Sequence, residues 1–114
     1  MKINYYKGQG ILLAEINVDY QKGKVTVINH TDDNMERPFG CNEHPTIKDF
    51  EDFIEYRTIP QTRYNFKMEM RMRGITDTSP MGIFRQYHGR TTDDDYYAEI
   101  IEEEEKEYED RAYE

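Results

Sequence analysis

The chain has little of what several protein classes require. It contains one cysteine, no tryptophan and no apolar run near the roughly 20 residues of a membrane-spanning helix. A single cysteine, Cys41, rules out an internal disulfide framework and fits a reducing compartment. Residues 1–6 lack the long apolar centre of a secretory signal peptide. We therefore expect a cytoplasmic protein.

Basic residues are scarce as well. The chain has 15 Lys and Arg against 24 Asp and Glu, which gives a net charge of −9. Residues 93–114 hold twelve acids and two bases, whereas residues 1–92 hold twelve acids and thirteen bases. Binding to nucleic acid through its phosphates needs clustered Lys and Arg, so we expect no direct contact with nucleic acid. The acidity belongs to the C-terminal end.

Strands are predicted in the first third of the chain and near its end. Residues 11–20 alternate between a more apolar and a more polar face, and residues 24–29 are rich in β-branched side chains. Residues 21–23 between them form a turn signal that ends in glycine. Residues 2–6 and 95–101 predict two further strands. Together these segments predict a small antiparallel sheet.

The first predicted helix begins after Thr46, a good N-cap residue, with Asp49 in its first turn. It should end before Pro60, because the residue ahead of a proline is disfavoured in a helix. Its apolar residues recur on one stripe, which we expect to face the core: Ile47, Phe50, Phe53 and Ile54.

Two more helices are predicted. The second runs from Gln61 or Thr62 to Arg73, and Gly74 supplies its C-terminal stop. The third opens at Ser79-Pro80 and ends at Gly89. For the second helix we expect one apolar stripe flanked by two further apolar residues: Tyr64, Met68 and Met72 on the stripe, with Phe66 and Met70 beside it.

These elements predict an α+β fold. A small antiparallel sheet of two to four strands should pack against about three short helices. Residues 1–101 are predicted to form a single compact domain. Residues 102–114 are predicted to be an acidic tail or an exposed helical extension.

An ordered set of short motifs carries a resemblance over about residues 24–101. The motifs are Arg37-Pro38-Phe39-Gly40, residues 49–55, Arg57-x-x-Pro60-x-x-Arg63, Gly74-Ile75 and His88-Gly89-Arg90-Thr91-x-Asp93-Asp94. In this order they resemble small uncharacterised proteins found on mobile elements and prophages of gut Firmicutes. They are also similar to the region ahead of the kinase domain in some HipA-like proteins.

The resemblance implies a mobile-element accessory protein. The nucleotide-binding and catalytic motifs of the kinase have no match in this sequence, so kinase activity is not implied. No catalytic residue is carried over, and we expect a protein that is not an enzyme.

Metal and thiol chemistry were considered for the loop between the sheet and the first helix. His30, Cys41 and His44 could supply ligands, but a structural zinc normally takes four ligands from paired clusters. Cys41 with His44 or His88 as base has no identifiable orienting group or oxyanion site. Solvent-facing loop residues are the favoured interpretation, and we expect no metal or cofactor.

Two arginines flank the bend at Pro60, namely Arg57 and Arg63. One hypothesis is that they contact phosphates or an acidic protein. The favoured hypothesis is a structural clamp, in which they pair with carboxylates of the chain itself. The candidate partners are Glu55, Asp93 and Asp94.

The acidic end is the sharpest functional feature of the sequence. A row of carboxylates can occupy a channel built for phosphates, and small acidic proteins of mobile elements act in this way against nucleic-acid enzymes. The predicted partner-binding residues are Asp93, Asp94, Asp95, Glu99, Glu102, Glu103, Glu104, Glu105 and Glu107.

Three functions are left open by the sequence. The first is an inhibitor that mimics nucleic acid on a basic partner, of the anti-CRISPR type. The second is a toxin–antitoxin or signalling accessory module that binds a HipA-like partner through residues 57–63. The third is a small metalloenzyme. For the acidic end itself, the other interpretation is a tail that only keeps the protein in solution.

Overall fold

The computed structural model describes residues 1–58, 65–91 and 94–102. Its strands form one antiparallel sheet in the order β3-β2-β1-β4, so that β3 and β4 are the edges. The strands are β1 (Lys2–Lys7), β2 (Ile11–Asp19), β3 (Lys24–Asn29) and β4 (Tyr96–Glu102). The helices lie between β3 and β4 in the sequence: α1 (Ile47–Tyr56), α2 (Phe66–Met72) and α3 (Pro80–Tyr87). The predicted α+β fold is confirmed.

One face of the sheet packs against α1 and α3. The core joins apolar side chains of all four strands to aromatic side chains of these two helices, with Phe53 and Phe84 in edge contact at 6.3 Å. Burial of this apolar area is the main force that holds the two layers together. No helix among the described residues is long and apolar enough to cross a membrane.

A β-bulge changes the pattern predicted for β2. Tyr5 of β1 pairs with Ala14, whereas Tyr6 pairs with Leu12, so Leu13 is the extra residue. Leu13 and Ala14 are both buried, at 2% and 0% exposure. The strict alternation expected over residues 11–20 is therefore wrong at Leu13, because strand pairing and not local sequence sets the position of a bulge.

The predicted starts of the first and third helices are confirmed. The Thr46 side chain accepts a hydrogen bond from the Asp49 backbone, and the Asp49 carboxylate accepts one from the Thr46 backbone at 2.9 Å. Ser79 caps α3 by accepting from the Gly82 backbone, with Pro80 at the first helical position. Each cap satisfies backbone N–H groups that have no partner within the helix.

The stripe predicted for α2 is wrong. Met70 and Phe66 are buried, at 0% and 5% exposure, and pack with Ile83 of α3 in a second, smaller core. Met68 and Met72 are exposed, at 58% and 81%. Apolar residues occupy every second position from 64 to 72, so several faces of the helix look apolar and periodicity cannot choose between them.

The second predicted helix is wrong at Asn65, which the prediction placed inside the helix. α2 begins at Phe66, directly after Asn65, whose φ of 61° lies in the left-handed region. The predicted start at Gln61 or Thr62, together with Tyr64, lies outside the described residues.

Met70 on the buried face of α2 and Met68 on its exposed face give a matched test. Replacing Met70 with Ala should lower the free energy of unfolding by about 2–5 kcal/mol, because it opens a cavity against α3. Replacing Met68 with Ala should change that free energy by less than about 0.5 kcal/mol, as is usual at an exposed site. Urea denaturation of both variants measures the two effects. Equal losses would contradict the assigned face.

Candidate functional site

Arg57 follows α1 directly and is the one buried charged residue among those described, with 2% exposure. Its Nη1 and Nη2 atoms donate to the two carboxylate oxygens of Asp94 at 2.8 and 2.9 Å. Its Nε atom donates to the Gly89 carbonyl at 2.9 Å. This bidentate ion pair, with two parallel hydrogen bonds, is the strongest arrangement that an arginine and a carboxylate can form. It ties the end of α1 to the segment that enters β4.

The same two side chains satisfy backbone groups on the outer edge of β4. Arg57 Nη2 donates to the Tyr96 carbonyl at 3.0 Å, and Asp94 Oδ1 accepts from the Tyr96 N–H at 3.1 Å. The next outward N–H, that of Ala98, donates to the His88 carbonyl at 2.7 Å. An open strand edge invites pairing with other chains. The first half of this edge is already occupied from within the molecule.

The electrostatics keep the pair ionised. Burial is the largest single influence and lowers the pKa of Arg57, but the hydrogen bond to Asp94 and the charges of Asp94, Tyr5 and Tyr56 together raise that pKa on balance. The hydrogen bond from Arg57 is the main reason that the pKa of Asp94 lies below its usual range. The guanidinium carbon also lies 6.0 Å from the ring centre of Tyr5 and 5.7 Å from that of Tyr96. Aromatic faces at this distance stabilise a cation further.

Asp94 is one of the three partners that the sequence offered for the arginines at the bend. The Arg57 guanidinium is used inside the fold, which leaves little of it for a partner protein. Pro60, Arg63 and Asp93, which belong to the same prediction, lie outside the described residues.

The acids predicted to bind a partner are placed in three different ways. Asp94 is held by Arg57, with 26% of its side chain exposed. Asp95 and Glu99 are exposed to solvent. Glu102 ends β4. The remaining members lie outside the described residues: Asp93, Glu103, Glu104, Glu105 and Glu107.

A further set of exposed acids lies on α1, outside the predicted partner-binding residues. Three carboxylates stand on the face opposite the core: Glu51, Asp52 and Glu55. Asp52 accepts a hydrogen bond from Lys48 at 3.2 Å. Residues 32–56 hold eight acids and two bases, while residues 57–92 hold seven bases and two acids. The acidic stretch thus ends and the basic stretch begins at Arg57, which is the sequence signal that points to the acids of α1.

The two glutamates on this face of α1 do not stabilise the helix. Glu51 and Glu55 are four residues apart, a spacing at which like charges repel. Glu55 also lies in the last turn, where the helix dipole favours cations and where no base is found. On the acidic face of α1 (Glu51, Asp52 and Glu55), the two glutamates therefore lower the intrinsic stability of the helix, whereas Asp52 is offset by its pair with Lys48.

The candidate metal ligands and thiol chemistry find no common site. His30 Nε2 lies 2.7 Å from Glu15 Oε2, Cys41 is exposed, and His88 caps the end of α3. Within the part of the chain that is described, no three His, Cys, Asp or Glu side chains come together as a metal-binding group.

No family model, curated protein or solved structure matches the chain. The resemblance to mobile-element accessory proteins therefore stays a prediction.

The buried pair predicts a large and specific stability loss. Replacing Arg57 with Ala should lower the free energy of unfolding by about 3–5 kcal/mol, because Asp94 and the β4 edge lose their partner. Replacing Arg71 with Ala removes the same charge from an exposed position and should change it by less than about 0.5 kcal/mol. Denaturation of both variants in urea gives the comparison. A small loss at Arg57 would contradict its structural role.

The lowered pKa of Asp94 predicts that the stability of the fold depends on pH in the acid range. Its folded-state pKa is lowered, so its stabilisation is complete above the ordinary carboxyl value of about 3.9 and is lost as pH falls through the lowered value. The stability difference between the native chain and Asp94→Asn should therefore shrink as denaturation is repeated from neutral pH to about pH 3. A constant difference over that range would show that the ionised carboxylate is not what stabilises the fold.

Proposed function

We propose that the chain is a non-enzymatic inhibitor that binds a basic, nucleic-acid-binding protein, with carboxylates in place of phosphates. The observation that carries the proposal is the acidic face of α1. Glu51 and Glu55 repel each other, Glu55 opposes the helix dipole, and Asp52 makes an exposed pair with Lys48 that contributes little stability, so the fold does not account for these acids. A surface that costs stability without serving the fold is typical of a binding site.

The position of these acids suits a charged partner. α1 is fixed at its start by the Thr46 cap, at its end by Arg57 and along its inner face by buried aromatic residues. Carboxylates on a rigid helix lose little conformational freedom on binding, and a patch of one sign steers an oppositely charged partner. The acids beyond Glu102 add charge of the same sign to the chain.

The resemblance to mobile-element and prophage proteins favours a target in bacterial defence, such as a CRISPR nuclease. Such enzymes hold nucleic acid in basic channels, the kind of surface that an acidic face can occupy. The HipA-like alternative depended on the arginines at the bend. Because the Arg57 guanidinium is buried and paired, the binding proposal does not include it.

A charge-neutralised pair of variants tests the proposal. The full chain is immobilised and used to capture proteins from the lysate of a bacterium that carries this gene, with nucleic acid as competitor. Captured partners should be released by added DNA or RNA and by salt. The Glu51→Gln/Glu55→Gln variant should lower their affinity by about tenfold, which corresponds to about 1.4 kcal/mol over two charge contacts.

The matched control is Asp32→Asn/Glu43→Gln, which removes the same charge from exposed positions away from α1. A variant that lacks residues 103–114 reports separately on the C-terminal acids. Capture that resists nucleic acid would overturn the mimicry. Equal losses in the α1 variant and its control would show that net charge, and not the acidic face of α1, is responsible.

A further inference from the structure

An open groove of about 370 Å³ runs beside α1, where the loop before the helix folds against it. Its wall combines aromatic rings with two carboxylates. The lining residues are Pro38, Phe39, Asn42, Asp49, Asp52, Phe53 and Tyr56.

The aromatic part of the groove is rigid at its floor and exposed at its rim. Phe53 is 7% exposed and makes an edge contact with Tyr5 at 5.3 Å. The Phe39 ring lies 5.7 Å from that of Phe53. Tyr56 is 78% exposed, a large aromatic surface to leave in water beside the groove. Aromatic faces at a concave surface favour a ligand that can stack on them.

The carboxylates define the charge of that ligand. Asp49 is fixed by hydrogen bonds from the Thr46 backbone at 2.9 Å and from Asn42 Nδ2 at 3.1 Å, and the bond from the Thr46 backbone is the main reason that its pKa is lowered. Among the described residues Asp52 is paired with Lys48, and the two side chains are 57% and 82% exposed. An exposed pair of this kind contributes little stability, so another cation can replace the lysine.

The nearest arginine in the sequence does not fill this role. Arg37 precedes Pro38, but its Nε atom donates to the Thr31 carbonyl at 2.8 Å and its Nη1 atom to Asn34 at 3.2 Å. The groove therefore keeps a negative, aromatic character. A purely apolar ligand would strip water from the carboxylates without replacing their hydrogen bonds.

The molecule already contains one site with this combination of groups. Asp94 and the rings of Tyr5 and Tyr96 hold the guanidinium of Arg57. The groove beside α1 presents the same kinds of groups toward solvent. A guanidinium is planar, stacks on aromatic rings and binds a carboxylate with two parallel hydrogen bonds, whereas an ammonium is a strongly hydrated point charge.

We infer that the groove between α1 and residues 38–42 binds an arginine side chain of a basic protein. The inference deepens the proposed function by naming what the partner supplies, and it rests on that proposal for the source of the arginine. Binding of arginine to the groove can be measured without the partner.

The experiment compares two peptides of equal charge, nona-arginine and nona-lysine, by calorimetric titration and by amide chemical shifts. Nona-arginine should bind more tightly and should shift the amides of residues 38–42 and 49–56. Tyr56→Ala should weaken nona-arginine about two- to fivefold, the effect of one exposed cation–aromatic contact, and should leave nona-lysine nearly unchanged. The control is Tyr20→Ala, an exposed tyrosine outside the groove.

Two charge variants sharpen the test. Lys48→Ala should strengthen nona-arginine binding more than Lys67→Ala does, because both remove one exposed positive charge but only the first releases Asp52. Asp52→Asn should weaken binding more than Glu51→Gln, which makes the same change of charge outside the groove.

Each outcome has a meaning. Larger effects at Tyr56, Lys48 and Asp52 than at their controls support the arginine site. Equal effects, or equal binding of both peptides, would show that the acidic surface attracts cations without a specific groove and would overturn the inference. Capture of a nucleic-acid-competed partner through the acidic face of α1 would still stand in that case, so the two proposals can fail separately.

Discussion

The paired charges of Arg57 and Asp94 join segments that are far apart in the sequence. The guanidinium reaches Gly89, 32 residues away, and Asp94, 37 residues away, and thereby fixes the end of α1, the turn after α3 and the start of β4. Removing two charges from water is costly, and attraction alone seldom compensates. Here two further donors of the guanidinium are matched to backbone carbonyls at Gly89 and Tyr96. The pair therefore chiefly sets position: it places the start of β4 beside β1 and satisfies the backbone groups of Tyr96 on its outer edge.

This anchoring explains why the outer side of α1 can carry a costly surface. The cap at Thr46, the buried Phe50 and Phe53, and Arg57 hold the helix at both ends and along one side. Repulsion between Glu51 and Glu55 is small, a few tenths of a kcal/mol for a pair at this spacing. A helix held by tertiary contacts tolerates that cost. The residues on its solvent face are therefore not needed for folding, and they can be suited to binding a partner.

The features that could be predicted from the sequence depend on local interactions. Caps at Thr46 and Ser79 depend on hydrogen bonds within one turn, so residue types at fixed spacing reveal them. The bulge at Leu13 and the buried face of α2 depend on pairing and packing between distant segments. Met70 and Met68 are equally apolar, and only contact with α3 decides which is buried. The choice of Asp94 among three candidate acids is also a long-range result.

The groove beside α1 could not be predicted from the sequence for a related reason. Its aromatic floor joins Phe39 of an irregular loop to Phe53 of α1. The spacing of residues along the sequence does not predict this contact. Tyr56 extends the spacing of three set by Ile47, Phe50 and Phe53, so the sequence alone would place it at the core. In the structure it is 78% exposed beside the acids of α1, and folding does not explain this aromatic residue. Inside the protein, tyrosine rings and a carboxylate hold Arg57 by stacking and paired hydrogen bonds, and the same chemistry on the surface of α1 selects a guanidinium over other cations.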